Sequence, residues 1–122
     1  MKTALLKKRC VPCEAGTPPL KGGQIRKYAR EIHGWKIVRK KMLLKEFKFK
    51  NFRESMDFVR KVAVIAEREG HHPDIYIFYN IVRLKLWTHA IGGLSTNDFI
   101  LAAKINAMQK MRIHANAANV NR

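Results

Sequence analysis

Residues 71–89 have the sequence HHPDIYIFYNIVRLKLWTH, and this stretch decides the fold. Apolar and polar side chains alternate on both sides of Asn80, and a two-residue period is typical of β-strands. The stretch therefore predicts a hairpin that turns near Asn80. The two faces of its second strand carry, in turn, Val82, Leu84, Leu86 and Thr88, and Arg83, Lys85, Trp87 and His89. One face is thus apolar, and the other has side chains suited to binding or chemistry.

An earlier hairpin is predicted from residues 35–49, where apolar side chains alternate around the cationic turn at 39–41. Before it, residues 22–33 place apolar side chains at three- and four-residue steps, which indicates an amphipathic helix that ends at Gly34.

Two further helices are predicted from their capping residues. Asn51 with Glu54, and Ser95 with Asp98, have the spacing of a capping box, and Gly70 is placed to end the first of these helices. The predicted order is α-β-β-α-β-β-α. The simplest architecture is an α+β fold, a four-stranded antiparallel sheet with three helices on one face.

The chain is expected to form one domain over residues 21–113, since 122 residues fit a single core. Residues 1–20 are interrupted by glycine and prolines and are predicted to form an N-terminal arm, and residues 114–122 a frayed tail. Cys10 and Cys13 lack the second pair that a structural zinc site usually has. They are interpreted as a reduced pair on a mobile arm.

The chain is strongly basic, with a formal net charge of +16 from 25 Lys and Arg against 9 Asp and Glu. This charge raises the question of a polyanionic partner. The cations are spread along the chain, and zinc-finger, heptad and aromatic RNA-binding patterns are absent. The charge is therefore interpreted mainly as a solvated surface, with nucleic acid the less favoured partner. Without an apolar stretch of about 20 residues or a signal-peptide core, the chain is expected to be cytoplasmic, with no membrane partner.

Histidines dominate the candidate chemistry. His71, His72 and His89 follow a helix end and a strand end, and Glu67 and Asp98 lie near them in the predicted fold. Imidazole titrates near neutral pH, so such a cluster suits proton transfer, whereas three histidines can also bind zinc. Solvated loop histidines, and an Asp98 that only caps its helix, stay open as alternatives. Nucleophile-elbow and phosphate-loop motifs are absent.

Together these residues resemble a known family signature. Glu67, the segment His71-His72-Pro73, Tyr79, His89 and Asp98 occur at the spacing found in pterin-4a-carbinolamine dehydratases. The likeness covers about residues 10–108, and the cysteine-containing arm is similar to that of bacterial members. Trp87 departs from the pattern, in which a smaller residue often precedes the Thr-His pair.

The resemblance implies an enzyme that dehydrates 4a-hydroxytetrahydropterin to quinonoid dihydropterin in tetrahydropterin recycling, with no metal or organic cofactor. It implies acid–base roles for His71 and His89, and a role for His72 in orienting the pterin or stabilising charge. Glu67 and Asp98 would orient the histidines or bind pterin N–H groups.

The resemblance also implies three contributors to pterin binding or to the support of the histidines, namely Thr88, Trp35 and Pro73. It implies a homodimer or homotetramer. The alternative function is non-catalytic, a binding protein or transcriptional cofactor with a polyanionic or protein partner.

Overall fold

A computed structural model describes residues 4–12 and 14–118, with side chains as far as Lys110. The helices are α1 (Gly22–Ala29), α2 (Phe52–Glu69) and α3 (Thr96–Ala118), and the strands are β1 (Lys36–Val38), β2 (Met42–Lys48), β3 (Asp74–Phe78) and β4 (Ile81–Leu86). Short 3-10 helices lie at Ala4–Lys7 and His89–Ile91. The predicted order α-β-β-α-β-β-α is confirmed.

The four strands form one antiparallel sheet in the order β1-β2-β4-β3, so that β3 is an edge strand. On one face, Leu43 pairs with Leu86 and Phe47 with Val82, and all four side chains are buried. Phe58 of α2 packs against Phe47 at a ring-centroid distance of 4.6 Å. The helices therefore cover this face, and the predicted α+β architecture is confirmed.

Local signals fix both ends of α2. The Asn51 side chain accepts a hydrogen bond from the Glu54 backbone N–H at 3.0 Å, while Glu54 Oε1 accepts one from the Lys50 backbone N–H. At the other end, Gly70 adopts a left-handed conformation with φ of 65°, which costs glycine little. Gly70 thus ends α2 and redirects the chain immediately before His71.

The first helix is shorter than predicted, because α1 ends at Ala29 whereas its apolar pattern continues to Ile32. Ile32 is still buried, and its carbonyl accepts a hydrogen bond from the Trp35 backbone N–H in the turn that follows. Periodicity reports which side chains reach the core, so it does not separate a last helical turn from a packed turn.

The start of the chain packs against the domain. Leu5 is fully buried. Further along, the Cys10 backbone N–H donates to Glu69 Oε1 at 2.9 Å, and the Val11 N–H donates to Asn97 Oδ1 at 3.0 Å. The prediction of a mobile arm is therefore wrong for these residues, because contacts with α2 and α3, distant in sequence, hold them.

Burial, followed by the nearby Glu69 carboxyl group, raises the pKa of the Cys10 thiol to about 12, so this cysteine is protonated at neutral pH. Cys13 lies outside the described residues.

At the other terminus, α3 continues to Ala118, and residues 119–122 lie outside the described part. The frayed tail over 114–122 stays a prediction. Within the described residues, none of the helices has the length and hydropathy needed to cross a membrane.

Candidate active site

Three chain segments meet beyond the end of α2. Gly70 delivers His71 there, and the His71 backbone N–H donates to the Ala66 carbonyl. His89 begins the 3-10 helix after β4, on a loop that is closed by a bridge between Thr88 and Gly93. The predicted convergence of helix end, strand end and next helix start on one site agrees with this geometry.

The meeting point is a cavity of about 390 Å³ that all three predicted histidines line. Its volume lies in the lower part of the range for small-molecule sites, roughly 300–1,000 Å³. The lining residues are Val11, Pro12, Gly70, His71, His72, Pro73, Asp74, Trp87, Thr88, His89, Ala90 and Asn97.

His71 is held by a buried carboxyl group. Its Nε2 atom lies 2.6 Å from Asp98 Oδ1, and the Asp98 side chain is 0% exposed. With an ionised Asp98 this contact requires a proton on Nε2, so in neutral His71 the Nδ1 atom carries the lone pair. His71 Nδ1 has no hydrogen-bond partner among the described residues. His71 is thus oriented with a basic nitrogen free for a ligand.

Asp98 is itself fixed from two sides. Its Oδ2 atom accepts hydrogen bonds from Thr88 Oγ1 at 2.8 Å and from the Ser95 backbone N–H at 2.9 Å. Thr88 Oγ1 also lies 2.7 Å from Ser95 Oγ. Asp98 therefore caps the start of α3 and holds His71 at once, so the two alternatives left open by the sequence are both true in part. Thr88 supports the site through Asp98.

His72 and Glu67 form a second pair, which is exposed. His72 Nε2 lies 2.6 Å from Glu67 Oε2, and the two side chains are 57% and 77% exposed. Water competes for such a contact, so it contributes little to stability. Glu67 does not line the cavity and reaches it only through His72.

His89 is bounded by Trp87, the residue that departs from the family pattern. The two rings lie 3.9 Å apart between centroids at a tilt of 38°. Trp87 Nε1 donates to Asp74 Oδ2 at 3.3 Å, which ties the indole to the start of β3. Sequence reasoning missed Asp74. Its position directly after His71-His72-Pro73, at the end of a strand beside the cavity, is the signal that could have found it.

The remaining predicted residues divide. Pro73 lines the cavity. Trp35 does not: it is buried in the core, its Nε1 donates to Asn106 Oδ1 at 3.0 Å, and its ring meets Phe47 edge-on. Tyr79 of the signature lies at the tip of the second hairpin with a positive φ of 51° and is also outside the cavity.

Sequence reasoning also missed one wall of the cavity. Val11 and Pro12 from the arm, and Asn97 from α3, contribute to the lining. The Asn97 amide holds the Val11 backbone on both sides, accepting from its N–H and donating to its carbonyl. Contacts between residues this far apart in sequence have no local signature.

Metal binding finds no geometric counterpart at this site. Within residues 4–12 and 14–118, no group of three or more His, Cys, Asp and Glu side chains is arranged to hold a metal ion.

Comparisons with known proteins agree with the signature. A sequence model of the family described as pterin 4 alpha carbinolamine dehydratase matches residues 18–108. A relative from Nitrosospira multiformis is 49% identical over 104 residues, covering 85% of this chain and 91% of the relative. One from Alkaliphilus metalliredigens is 43% identical over 106 residues, covering 86% and 96%. Both relatives are named provisionally as pterin-4-alpha-carbinolamine dehydratases.

Two solved structures share the fold. A transcriptional coactivator/pterin dehydratase from Brucella melitensis superposes with a TM-score of 0.69 at 32% identity, covering 74% of this chain and 97% of that one. A pterin dehydratase-like protein described as a RuBisCO assembly factor in the alpha-carboxysome gives a TM-score of 0.54 at 25% identity, with 64% and 92% covered. From the match over residues 18–108 and these relatives, we conclude that the chain belongs to the pterin 4 alpha carbinolamine dehydratase family.

Proposed function

We propose that this chain is a cytoplasmic enzyme that dehydrates 4a-hydroxytetrahydropterin to quinonoid dihydropterin and water in tetrahydropterin recycling, without a cofactor. One observation carries the proposal. Three histidines line a single cavity of small-molecule size, and a buried carboxyl group orients one of them. The names of the relatives support the same activity.

The chemistry needs one acid and one base. In the substrate a hydroxyl group is bonded to C4a, beside a ring nitrogen. The nitrogen lone pair expels the hydroxyl as the C4a–O bond breaks, and a general acid protonates it so that water leaves. A general base removes a proton from the ring, which leaves the neutral product. Each positioned proton transfer typically contributes about 10²–10⁴-fold in rate.

The surroundings of the two histidines suggest which role each has. Asp98 fixes the Nε2 proton of His71 and leaves Nδ1 as an acceptor, so His71 suits the base. The indole face of Trp87 accommodates the positive charge of a protonated imidazole, so His89 suits the acid. His72, which is exposed and held by Glu67, would orient the polar edge of the pterin. Pro73 would shape the wall beside it.

The proposal is tested by generating 4a-hydroxytetrahydropterin in place with an aromatic amino-acid hydroxylase and following its decay by absorbance. We expect the chain to accelerate the decay well above the spontaneous rate. A folded chain that leaves the rate unchanged would refute the proposal.

Trp87 is expected to position His89. Trp87→Ala removes the stacked ring and should lower kcat about tenfold, because small losses of alignment are costly in acid–base catalysis. Trp87→Phe keeps a ring and loses only the bond to Asp74, so the expected loss is smaller. The control is Lys48→Ala, an exposed residue at the far end of β2. An equal, purely structural loss of stability in both Trp87 variants, with unchanged kcat, would contradict the role.

Self-association along β3 is the proposed route to an oligomer. This edge strand exposes large apolar side chains on both of its sides, with Ile75 and Ile77 each 37% exposed and Phe78 49% exposed. Pairing with β3 of a second copy would bury them and satisfy the open backbone groups. Light scattering should give a mass of at least twice 14.1 kDa, and Ile77→Lys should reduce it. A monomeric wild-type chain at micromolar concentration would rule this out.

A binding function is the second candidate. The coactivator and assembly-factor relatives carry such roles in their own names, and this chain has a net charge of +16. Loss of dehydration with retained, salt-sensitive partner binding would favour it.

A further inference from the structure

A second, larger cavity lies on the other side of the arm from the histidine site. Its volume is about 660 Å³, and residues of the arm, α2 and α3 line it. The two cavities share no lining residue. The dehydration chemistry leaves this groove without a role.

Cations from three separate elements surround this groove. The arm contributes the run Lys7-Lys8-Arg9, α2 contributes Lys61 and Arg68, and α3 contributes Lys104. Among the described lining residues the one carboxylate is Glu69, which is almost completely buried and lies 2.6 Å from Lys104 Nζ. The groove is thus strongly positive.

Glu69 is already neutralised by its neighbours. Burial by itself raises the pKa of Glu69, but the hydrogen bonds from Lys104 and the Cys10 backbone, with the charges of Lys104 and Arg9, lower it below its ordinary value. Lys61 and Arg68 have no carboxylate within ion-pair distance in the part of the chain that the structure describes. These cations are available to an outside anion.

The floor of the groove is apolar. Leu6, Val64, Ile65, Ala107 and Met108 form it, and Val64 is 57% exposed. On α2 the lining positions 61, 64, 65 and 68 follow helical spacing over two turns, about 10 Å of helix. A basic rim along an apolar stripe between two helices has the form of a site that accepts an amphipathic helix.

The composition of the groove selects among occupants. The lining residues include no aromatic side chain on which a base could stack, which argues against single-stranded nucleic acid. A second copy is also disfavoured, since 25 cations against 9 carboxylates make two chains repel each other. We propose that this groove binds an acidic amphipathic helix of a partner protein, with apolar residues on the floor and carboxylates at the rim.

The probe is a fluorescein-labelled peptide of about 18 residues, long enough to form a helix, with leucine at helical spacing and glutamate elsewhere. Its matched control has glutamine at every glutamate position and the same leucines. Fluorescence anisotropy with the full chain gives Kd at several salt concentrations. We expect the glutamate peptide to bind more tightly than the glutamine peptide, and its advantage to shrink as salt screens the rim.

Two double variants with the same change in net charge locate the site. Lys61→Glu with Arg68→Glu reverses two exposed rim cations and should weaken binding about tenfold. Lys36→Glu with Lys48→Glu reverses two exposed cations on the sheet and should leave Kd within about twofold. Val64→Ser should weaken binding several-fold through the floor. Circular dichroism and unchanged dehydration rates would establish that each variant is folded.

The proposal is supported if only the groove variants lose the peptide. Equal weakening by both double variants, or equal affinity for the two peptides, would overturn it. An oligonucleotide that displaces the peptide and is itself lost in the Lys61→Glu, Arg68→Glu variant would assign the groove to polyanions in general and would also overturn it.

Discussion

Replacing His71 or His89 by alanine should slow dehydration by about 10²–10⁴-fold each, because each change removes one of the two proton transfers. The fold should tolerate both changes. His89 is exposed on a short 3-10 helix, and the His71 side chain faces a cavity where water can take its place beside Asp98. The measurement is kcat in the coupled hydroxylase assay, with the free energy of unfolding from urea denaturation as a check.

The chain offers a matched control for these variants. His33 is exposed and far from the cavity, and the structure gives it hydrogen bonds only through its carbonyl oxygen. His33→Ala should therefore leave kcat unchanged. Rates near wild type in both His71→Ala and His89→Ala would contradict the assigned chemistry, as would an equal loss in His33→Ala.

Asp98→Asn should damage both activity and stability, although the two side chains have nearly the same shape. Asp98 accepts three hydrogen bonds, from His71, Thr88 and Ser95, in a fully buried position. If the new amide group faces His71, it forces the Nε2 atom to accept and moves the ring proton to Nδ1. If it faces Ser95, two donors oppose each other. Either way the network loses a bond, and the first arrangement abolishes the basic nitrogen.

For Asp98→Asn we expect kcat to fall about 10²-fold and the free energy of unfolding to fall by about 1–3 kcal/mol. The exposed pair offers the comparison, because Glu67→Gln changes a carboxylate that faces its histidine in water. Glu67→Gln should change the free energy of unfolding by less than about 1 kcal/mol. Loss of stability in Asp98→Asn with kcat intact would mean that Asp98 only caps α3.

Much of the fold was predictable because its signals are local. Alternation around Asn80 gave the second hairpin, and Asn51 and Gly70 gave the ends of α2, since capping residues and two-residue periods act within a few residues. The end of α1 was not predictable. Ile32 continues the apolar pattern after the helix has stopped, and packing alone distinguishes the two conformations.

The site was predictable where spacing fixes it and not where distant segments meet. The histidines and Asp98 follow elements whose ends the sequence marks, so their convergence could be expected. Trp35 was misplaced, because an indole N–H finds a partner equally well in the core, where Asn106 supplies it. The wall formed by Val11 and Pro12 depends on pairing between the arm and Asn97, which no nearby residue announces.

The central claim is that dehydration takes place between His71 and His89. A crystal structure of the chain with a stable substrate analogue, 7,8-dihydrobiopterin, tests it most directly. The account predicts the pterin ring in the histidine cavity, with its N5 and C4a edge within hydrogen-bonding reach of the two imidazoles, about 2.6–3.2 Å or through one water. A pterin bound elsewhere, with this cavity empty, would contradict the account.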